Sequence, residues 1–570
     1  MEKFWKIVTE KEILSPGDLQ SRLNIDRVVT ALLGQRNILN YDAAKTFFRP
    51  DLKQLHDPFM MKGMKAAIDR IELAIAKNEK VLIFGDYDVD GTTAVSLVYS
   101  FFKEHISNIG YYIPDRYKEG YGISLQGIDF AELNDFSLVI ALDCGIKAND
   151  KIDYANKKNV DFIICDHHLP GADLPAAVAI LDPKQEDCPY PYKELSGAGI
   201  GFKLIEAYSI FKNLPREKCF EYLDLVVTSI AADIVPITGE NRVLAYYGLE
   251  KINTRPRPGI KALLNINQLK GPVTITTLVF TLGPRINAAG RIEHGSKAVE
   301  LLSCSDESLA DELAKAINET NTQRRDLDLG ITTEAFSLLD NDPDINNKRS
   351  TVLFSEHWHK GVIGIVASRL IEKYYRPTII LTESDGKITG SARSVREYDV
   401  YSAIEKCGDL LDQFGGHKFA AGLTLKKENV EAFKTKFEEV VSGSITKEQL
   451  TPKIEIDAEI EFHEITDKFL RILKQFAPHG PENMTPLFCA RSVFETGWGQ
   501  VFGNNHLKME LFQKSNPTIR YQAIAYDKGD YIHFFQRKTP MDIVFKIQEN
   551  EYKGVTTVQL LIEDLKVSGQ

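Results

Sequence analysis

Three apolar runs, each ending in acidic or imidazole side chains, constrain this chain more than any other feature. Val81–Phe84 leads into Gly85-Asp86-Tyr87-Asp88-Val89-Asp90-Gly91. Phe136–Leu142 ends on Asp143, with Gly145 after it, and Asp161–Cys165 ends on Asp166-His167-His168. Short unbroken apolar runs bounded by turn residues predict strands buried on both faces. After Gly91 the pattern turns helical, with Ala94, Leu97, Val98 and Phe101 at spacings of three and four. The series therefore reads as βαβ units of a parallel sheet, and open α/β sheets build their sites at the carboxyl ends of the strands. Structural accident explains one such polar ending easily and three in succession poorly.

Asp86, Asp88 and Asp90 stand at alternate positions. In an extended loop, residues two apart point the same way, so the three could face one site. Converging carboxylates repel one another, and a hard divalent cation relieves that repulsion. The alternative is a solvated acidic turn that caps the helix. His with Asp suits Mn²⁺ or Mg²⁺, whereas a structural zinc site calls for Cys pairs.

The chain has 570 residues, which is too long for one core and predicts three or four domains. No apolar run is long enough to span a bilayer, and MEKFWKIVTEKEIL lacks the basic-then-apolar layout of a secretory signal. The seven Cys are scattered without a C-x-x-C pair, which predicts reduced thiols and a cytoplasmic setting. Cys144 and Cys165 read as small buried hydrophobes at strand ends. A net charge of −11 argues mildly against a nucleic-acid partner over the whole surface, but a local basic groove could still bind phosphates.

Along the chain, residues 1–45 read as short amphipathic helices and Met64–Lys77 as a longer one. Asn108–Ser124 reads as a strand and a Gly-rich loop carrying Arg116, Lys118 and Tyr121. Such a loop can hold a phosphate and stack a base, or simply be solvated. Ala177–Lys184 predicts a further strand, and GAGIGFKLIEAYSIF and CFEYLDLVVTSIAADIVP predict helices, the second ending at Asp233 as a cap or an inward ligand. Phe280–Gly295 places Arg285, Asn287 and Arg291 among small residues that permit close approach. Residues 297–340, including ETNTQRRDLD, read as a long linking helix with a solvated face. A boundary falls at Asn341–Ser350, and a second α/β unit follows with GSARS (Gly390–Ser394) and QFGGHKFAAGLT (Gln413–Thr424). His417 there sits in an ordinary Gly turn or against a phosphate. Beyond residue 450, HLKMELF, RYQAIAY, MDIVFKIQ and TTVQLLIEDLKV alternate like half-buried strands, with a turn at Gln548–Gly554, and predict an OB-like barrel of about five strands.

GDYDVDG, ALDCG, CDHH and AADIVP, in that order, resemble the four metal motifs of the DHH phosphoesterase superfamily. RINAAGR, GSARS and FGGHKFAAG resemble motifs of its RecJ branch of single-strand-specific 5′→3′ exonucleases. Phe84, where some relatives carry His, and Phe414, where others carry Gly, also look like that branch. The resemblance implies an α/β multidomain chain: an N-terminal helical segment (1–60), a DHH catalytic domain (61–295), a linking helix (296–345), a DHH-associated domain (346–448) and an OB-like barrel (449–570).

It further implies two-metal hydrolysis of single-stranded DNA to 5′-mononucleotides in repair and recombination, with Mn²⁺ or Mg²⁺. Asp88, Asp90, Asp143, His167 and Asp233 resemble the metal ligands, with Asp86 beside them and Asp143 bridging. His168 would be a supporting or proton-handling catalytic residue. Arg116 and Arg285 would hold the 5′ end, Tyr121 would stack a base, and Arg393 and His417 would clamp the strand, with Asn287 and Arg291 nearby. A monomer fed by a helicase and a single-strand-binding protein is the implied setting. A phosphodiesterase for short oligonucleotides would lack the barrel, and a non-catalytic replication scaffold would have lost the carboxylates.

Overall fold

The three apolar runs are adjacent strands of one parallel sheet. Its strands are β1 (Lys80–Gly85), β2 (Ile109–Tyr112), β3 (Phe136–Leu142), β4 (Asp161–Cys165) and β5 (Ala179–Leu181), in the order β2-β1-β3-β4-β5. Strand order reverses between β1 and β3, and this topological switch point is where such sheets open a crevice at their carboxyl edge. The strand expected over Ala177–Lys184 is shorter than its apolar pattern because Asp182 turns the chain, its Oδ1 accepting from Lys184 N at 2.7 Å.

The computed structural model describes residues 3–8, 19–269, 271–384, 386–552 and 554–569. They fall into two units, one built on His56–Val235 and Tyr247–Pro452, the other on Trp5–Leu55, Pro236–Tyr246 and Lys453–Gln570. Among the described residues no helix is long and apolar enough to cross a membrane.

In the first unit, helix α1 (Met64–Ala76) precedes the sheet and α2 (Val89–Phe102) follows β1. Helix α2 is buried nearly all round, so its hydroxyls bond backward: Thr92, Thr93 and Ser96 donate to the carbonyls of Asp88, Val89 and Thr92 at 2.6–2.7 Å. Helices α3 (Gly197–Phe211) and α4 (Leu223–Ala232) pack on α2. Helix α5 (Gly283–Ile292) carries the small residues of RINAAGR, and what approaches there is backbone: a Cβ on Gly290 would lie 2.6 Å from the Tyr87 carbonyl oxygen. The charged stretch after it is two helices, Ser296–Ser303 and the long α6 (Glu307–Asp340).

The second sheet comprises β6 (Thr351–Phe354), β7 (Thr378–Ser384), β8 (Lys387–Arg393), β9 (Gln413–His417) and β10 (Ala420–Leu425), ordered β9-β10-β8-β7-β6, with α7 (Ile363–Lys373) against it.

The barrel strands are β11 (Phe488–Glu495), β12 (His506–Gln513), β13 (Asn516–Ala525), β14 (Met541–Tyr552) and β15 (Val555–Val567). They pair in the circular order β11-β12-β13-β15-β14-β11, with β13 and β15 parallel. That closed five-stranded ring is the OB arrangement. The turn expected over Gln548–Gly554 is much tighter, because Tyr552 and Val555 already pair across it. The N-terminal helices do not form a segment of their own. Val28, Val29, Leu32 and Leu33 share one core with Phe488, Leu507, Ile543 and Leu560 of the barrel, and a strand absent from the sequence reading, Phe4–Ile7, places Trp5 Nε1 2.8 Å from Asp564 Oδ2. Amphipathic spacing shows that a face is buried and is silent on what buries it.

Candidate metal centre

The switch point brings together residues that lie far apart in sequence. Asp86 directly follows β1, Asp88 caps α2 and Asp90 sits in its first turn, so the three are not on one extended loop as their alternation suggests. The capping alternative holds for Asp88, whose Oδ1 accepts from Gly91 N at 3.0 Å. Asp143 follows β3 in the left-handed region, at φ 60°. His167 follows β4, and Asp233 is the C-cap of α4.

These groups converge. His167 Nε2 lies 3.1 Å from Asp143 Oδ1, 3.5 Å from Asp233 Oδ2 and 3.8 Å from Asp90 Oδ2. The contact with Asp143 is close without hydrogen-bond alignment, since both atoms lack a hydrogen-bond partner. Two donor sets share His167: Asp90-His167-Asp233 and Asp143-His167-His168. Asp90 is held hardest, accepting from Gly197 N at 2.7 Å, Ala198 N at 2.8 Å and Ser229 Oγ at 2.7 Å, at the amino end of α3. Glycine is required at 197, because a Cβ there would lie 2.7 Å from Asp143 Cβ.

The electrostatics are strained. Burial, then the charges of Asp90, Asp88, Asp233 and Asp86, pushes Asp143 well above the usual carboxylate range. Burial and the Asp90 and Asp88 charges lift Asp233 to about 8. Burial and Asp88 raise Asp86, and burial lowers His167. Four buried atoms here, Asp86 Oδ2, Asp143 Oδ1 and both ring nitrogens of His167, have no hydrogen-bond partner. Buried polar atoms are ordinarily paired, and unpaired oxygen and nitrogen donors among mutually repelling carboxylates fit hard divalent cations.

Asp166, to which the residue pattern alone assigns no role, positions this loop. Its Oδ1 accepts from His167 N at 2.8 Å and His168 N at 3.2 Å and lies 2.7 Å from His168 Nδ1, while Oδ2 accepts from Ile146 N at 2.9 Å. Burial opposes its ionisation, and the bonds from His168 and the backbone outweigh that, so Asp166 sits below the usual range. His168 is conversely raised: burial works against the charged ring, and Asp166 and the other carboxylates overcome it. Its Nε2 lies 3.2 Å from the Tyr121 hydroxyl, which also reaches the Asp143 carbonyl oxygen at 3.2 Å. A carboxylate next to two histidines was the available signal for Asp166.

A cleft of about 700 Å³ opens beside this centre, lined among others by Tyr121, His167, His168, Leu169, Lys147 and His417. Arg116, Arg291 and Arg393 also gather. The Arg116 guanidinium lies 4.7 Å over the Tyr87 ring, Arg291 Nη1 donates to the Gly361 carbonyl at 3.2 Å, and Arg393 Nη1 donates to Ser391 Oγ at 3.1 Å. Burial, then the charges of Arg116, Arg324 and Arg393, brings Arg291 down to about 10. Arg285, on the same helix as Arg291, donates to Asn318 Oδ1 at 3.0 Å and the Thr281 carbonyl at 2.7 Å, with Arg325 and Arg324 of α6 as its cationic neighbours. The charged pattern around those two arginines predicts a solvated face, yet the Arg324 Nε is buried without a partner. Asn287 is half-buried on α5.

Family models match three stretches: the DHH family N-terminal domain at residues 80–230, the DHHA1 domain at 347–443 and the RecJ OB domain at 456–564. The chain is 35% identical over 554 residues to a single-stranded-DNA-specific exonuclease RecJ of Bacillus subtilis, covering 96% of this chain and 69% of the relative. It is 32% identical over 536 residues to the protein of that name from Dickeya dadantii, covering 90% of this chain and 92% of the relative. The crystal structure of RecJ in complex with Mn²⁺ from Thermus thermophilus matches with a TM-score of 0.83 at 24% identity, over 100% of this chain and 80% of that one. With the switch-point carboxylates, the second α/β sheet and the closed barrel all in place, this chain belongs to the RecJ family of single-stranded-DNA-specific exonucleases.

Proposed function

We propose that this chain hydrolyses single-stranded DNA from the 5′ end with two divalent ions, Mn²⁺ or Mg²⁺, releasing 5′-mononucleotides during repair and recombination. The observation that carries the reading is the set of four unpartnered buried donor atoms among the carboxylates at the switch point. Asp86, Asp88, Asp90, Asp143, His167 and Asp233 are the residues that would hold the ions. When bound, such ions stabilise charge on the phosphoryl oxygens and activate water.

The rest falls to the chain's own groups. Arg116, Arg291 and Arg393 supply guanidiniums for the phosphates, and Tyr121 offers an exposed ring for stacking. His417 borders the same cleft, while Arg285 and Asn287 serve the strand from α5. Asp166 holds His168 so that its Nε2 faces the cleft, where a ring raised in basicity can pass a proton to the departing 3′ oxygen. Water attacks phosphorus and the P–O3′ bond breaks, leaving a 3′-hydroxyl on the released nucleotide and a 5′-phosphate on the shortened strand.

A single-strand-specific enzyme needs its duplex opened and its strand kept open, so a helicase and a single-strand-binding protein are the fitting partners. A monomer suffices, because one chain carries every residue of the site. The seven free cysteines suit a reducing, cytoplasmic setting. The test is metal-dependent digestion of strands labelled at either end. Early release of the 5′ label as a mononucleotide, with blunt duplex resistant, is expected. Early release of the 3′ label, or equal attack on duplex, overturns the reading.

A further inference from the structure

Ile234 directly follows Asp233, and its backbone lies in the left-handed region at φ 59°. It occupies the position just past the C-cap of α4, where glycine is the usual residue. A β-branched side chain there is a genuine outlier and costs free energy. The other non-glycine residues with positive φ among those described are Asn, Asp, Ser, Gln, Glu and Lys, which makes Ile234 the one apolar case. Nor does the fold recover that cost through burial. Ile234 is 66% exposed, although Val235 and Ile237 just beyond it are buried. A strained and exposed aliphatic residue makes sense where something outside the chain covers it.

Its neighbourhood says what that is. Asp233 Oδ2 is 3.5 Å from His167 Nε2, so Ile234 is anchored one residue from the candidate metal centre. Leu169, one residue after His168, is likewise an exposed aliphatic side chain beside a site residue, 70% exposed, and it lines the cleft with Tyr121. The charged groups of the site account for phosphates. The apolar faces of a deoxyribose and a base are the part of a nucleotide that they leave unmatched.

We infer that Ile234 is a specificity-determining residue whose side chain packs on the sugar and base of a nucleotide flanking the scissile phosphate, with Leu169 making the same kind of contact beside His168. The inference rests on the strand-cleavage reading. Contact with C–H and ring faces discriminates against small phosphodiesters without reading sequence.

The test compares Ile234→Asn with Ile234→Leu. Asn tolerates the left-handed region and removes the apolar contact, whereas Leu keeps it. Readouts are the thermal midpoint, KM and kcat on a single-stranded oligonucleotide with Mn²⁺, and equilibrium binding of a fluorescein-labelled oligothymidylate in Ca²⁺. For Ile234→Asn the midpoint stays level or rises, KM and the dissociation constant each increase about tenfold, and kcat holds within about twofold. Ile234→Leu restores tight binding. A lowered midpoint with KM and binding unchanged marks a structural residue and overturns the inference, as does an Asn variant that matches the unaltered protein throughout. If the unaltered protein binds the strand but does not cleave it, the proposed activity fails while the binding comparison still decides the role of Ile234. Absence of binding by the unaltered protein overturns both.

Discussion

Asp143 concentrates the cost of the site: a buried carboxylate in a left-handed backbone, surrounded by like charges and with one oxygen unpartnered. Asp143→Asn should therefore raise stability by about 1–2 kcal/mol in the absence of divalent ions, because it removes a desolvated charge. The same change should lower nuclease activity by orders of magnitude and shrink the thermal shift produced by Mn²⁺. Denaturant midpoints with EDTA and with Mn²⁺, beside turnover, check all three. His479 makes a separate point. Burial, then repulsion by Arg36 and Arg242, depresses it to about 4, against a backbone bond to Asn483 that favours the charged ring. Its contribution is full above the unfolded value near 6.5 and is lost as pH falls from there through about 4, some 3 kcal/mol in all. His479→Gln should flatten the decline in the unfolding midpoint between neutral pH and the lower end of that window. At this scale the sequence was legible where a strand end put Asp143 or His167 into a known kind of crevice. It was silent on Ile234, since no pattern of residue types encodes the φ of one residue.

Elements are legible in the sequence where its periodicity is clean. The strands Phe136–Leu142 and Asp161–Cys165 and the helix Gly197–Phe211 run as their apolar patterns imply, because burial on both faces, or all round, leaves little freedom at the ends. Asp88 shows the limit: an acidic residue at a strand–helix junction fits both a cap and a ligand, and here it caps while facing the same charged pocket. Side-chain bonds that stitch loops escape pattern reading altogether. Arg242 donates to the carbonyls of Gln475, Phe476, Ala477 and Pro478 at 2.9–3.3 Å, and burial, then Arg36, pulls it down to about 9. Arg242→Met should fill the space but strand those carbonyls, costing about 2–4 kcal/mol, and Arg242→Lys should recover only part of it. Chemical denaturation followed by a probe in the barrel unit measures both.

Across the whole molecule the net charge is −11, yet phosphate binding remains local, so affinity for single strands should fall with salt. The barrel presents Trp498, Phe502 and Tyr526, which are 47%, 38% and 54% exposed, with Lys508 Nζ 5.1 Å from the Trp498 ring. Replacing the three aromatics by Ala should weaken binding to long strands by about 1–3 kcal/mol per lost stack, with less effect on short ones, in titrations across salt concentration. Point substitution suits this better than truncation after residue 450, which would strip the cover from Val28, Val29, Leu32 and Leu33. That shared core also sets a timetable. Helices that end by Phe48 wait for strands that begin at Phe488, an interval of about 440 residues. At about 5–20 residues per second, synthesis takes roughly 20–90 s to deliver them. For that time the newborn chain carries an apolar helical face whose permanent neighbour has yet to be translated, and holdase chaperones at the ribosome are the natural temporary cover for it.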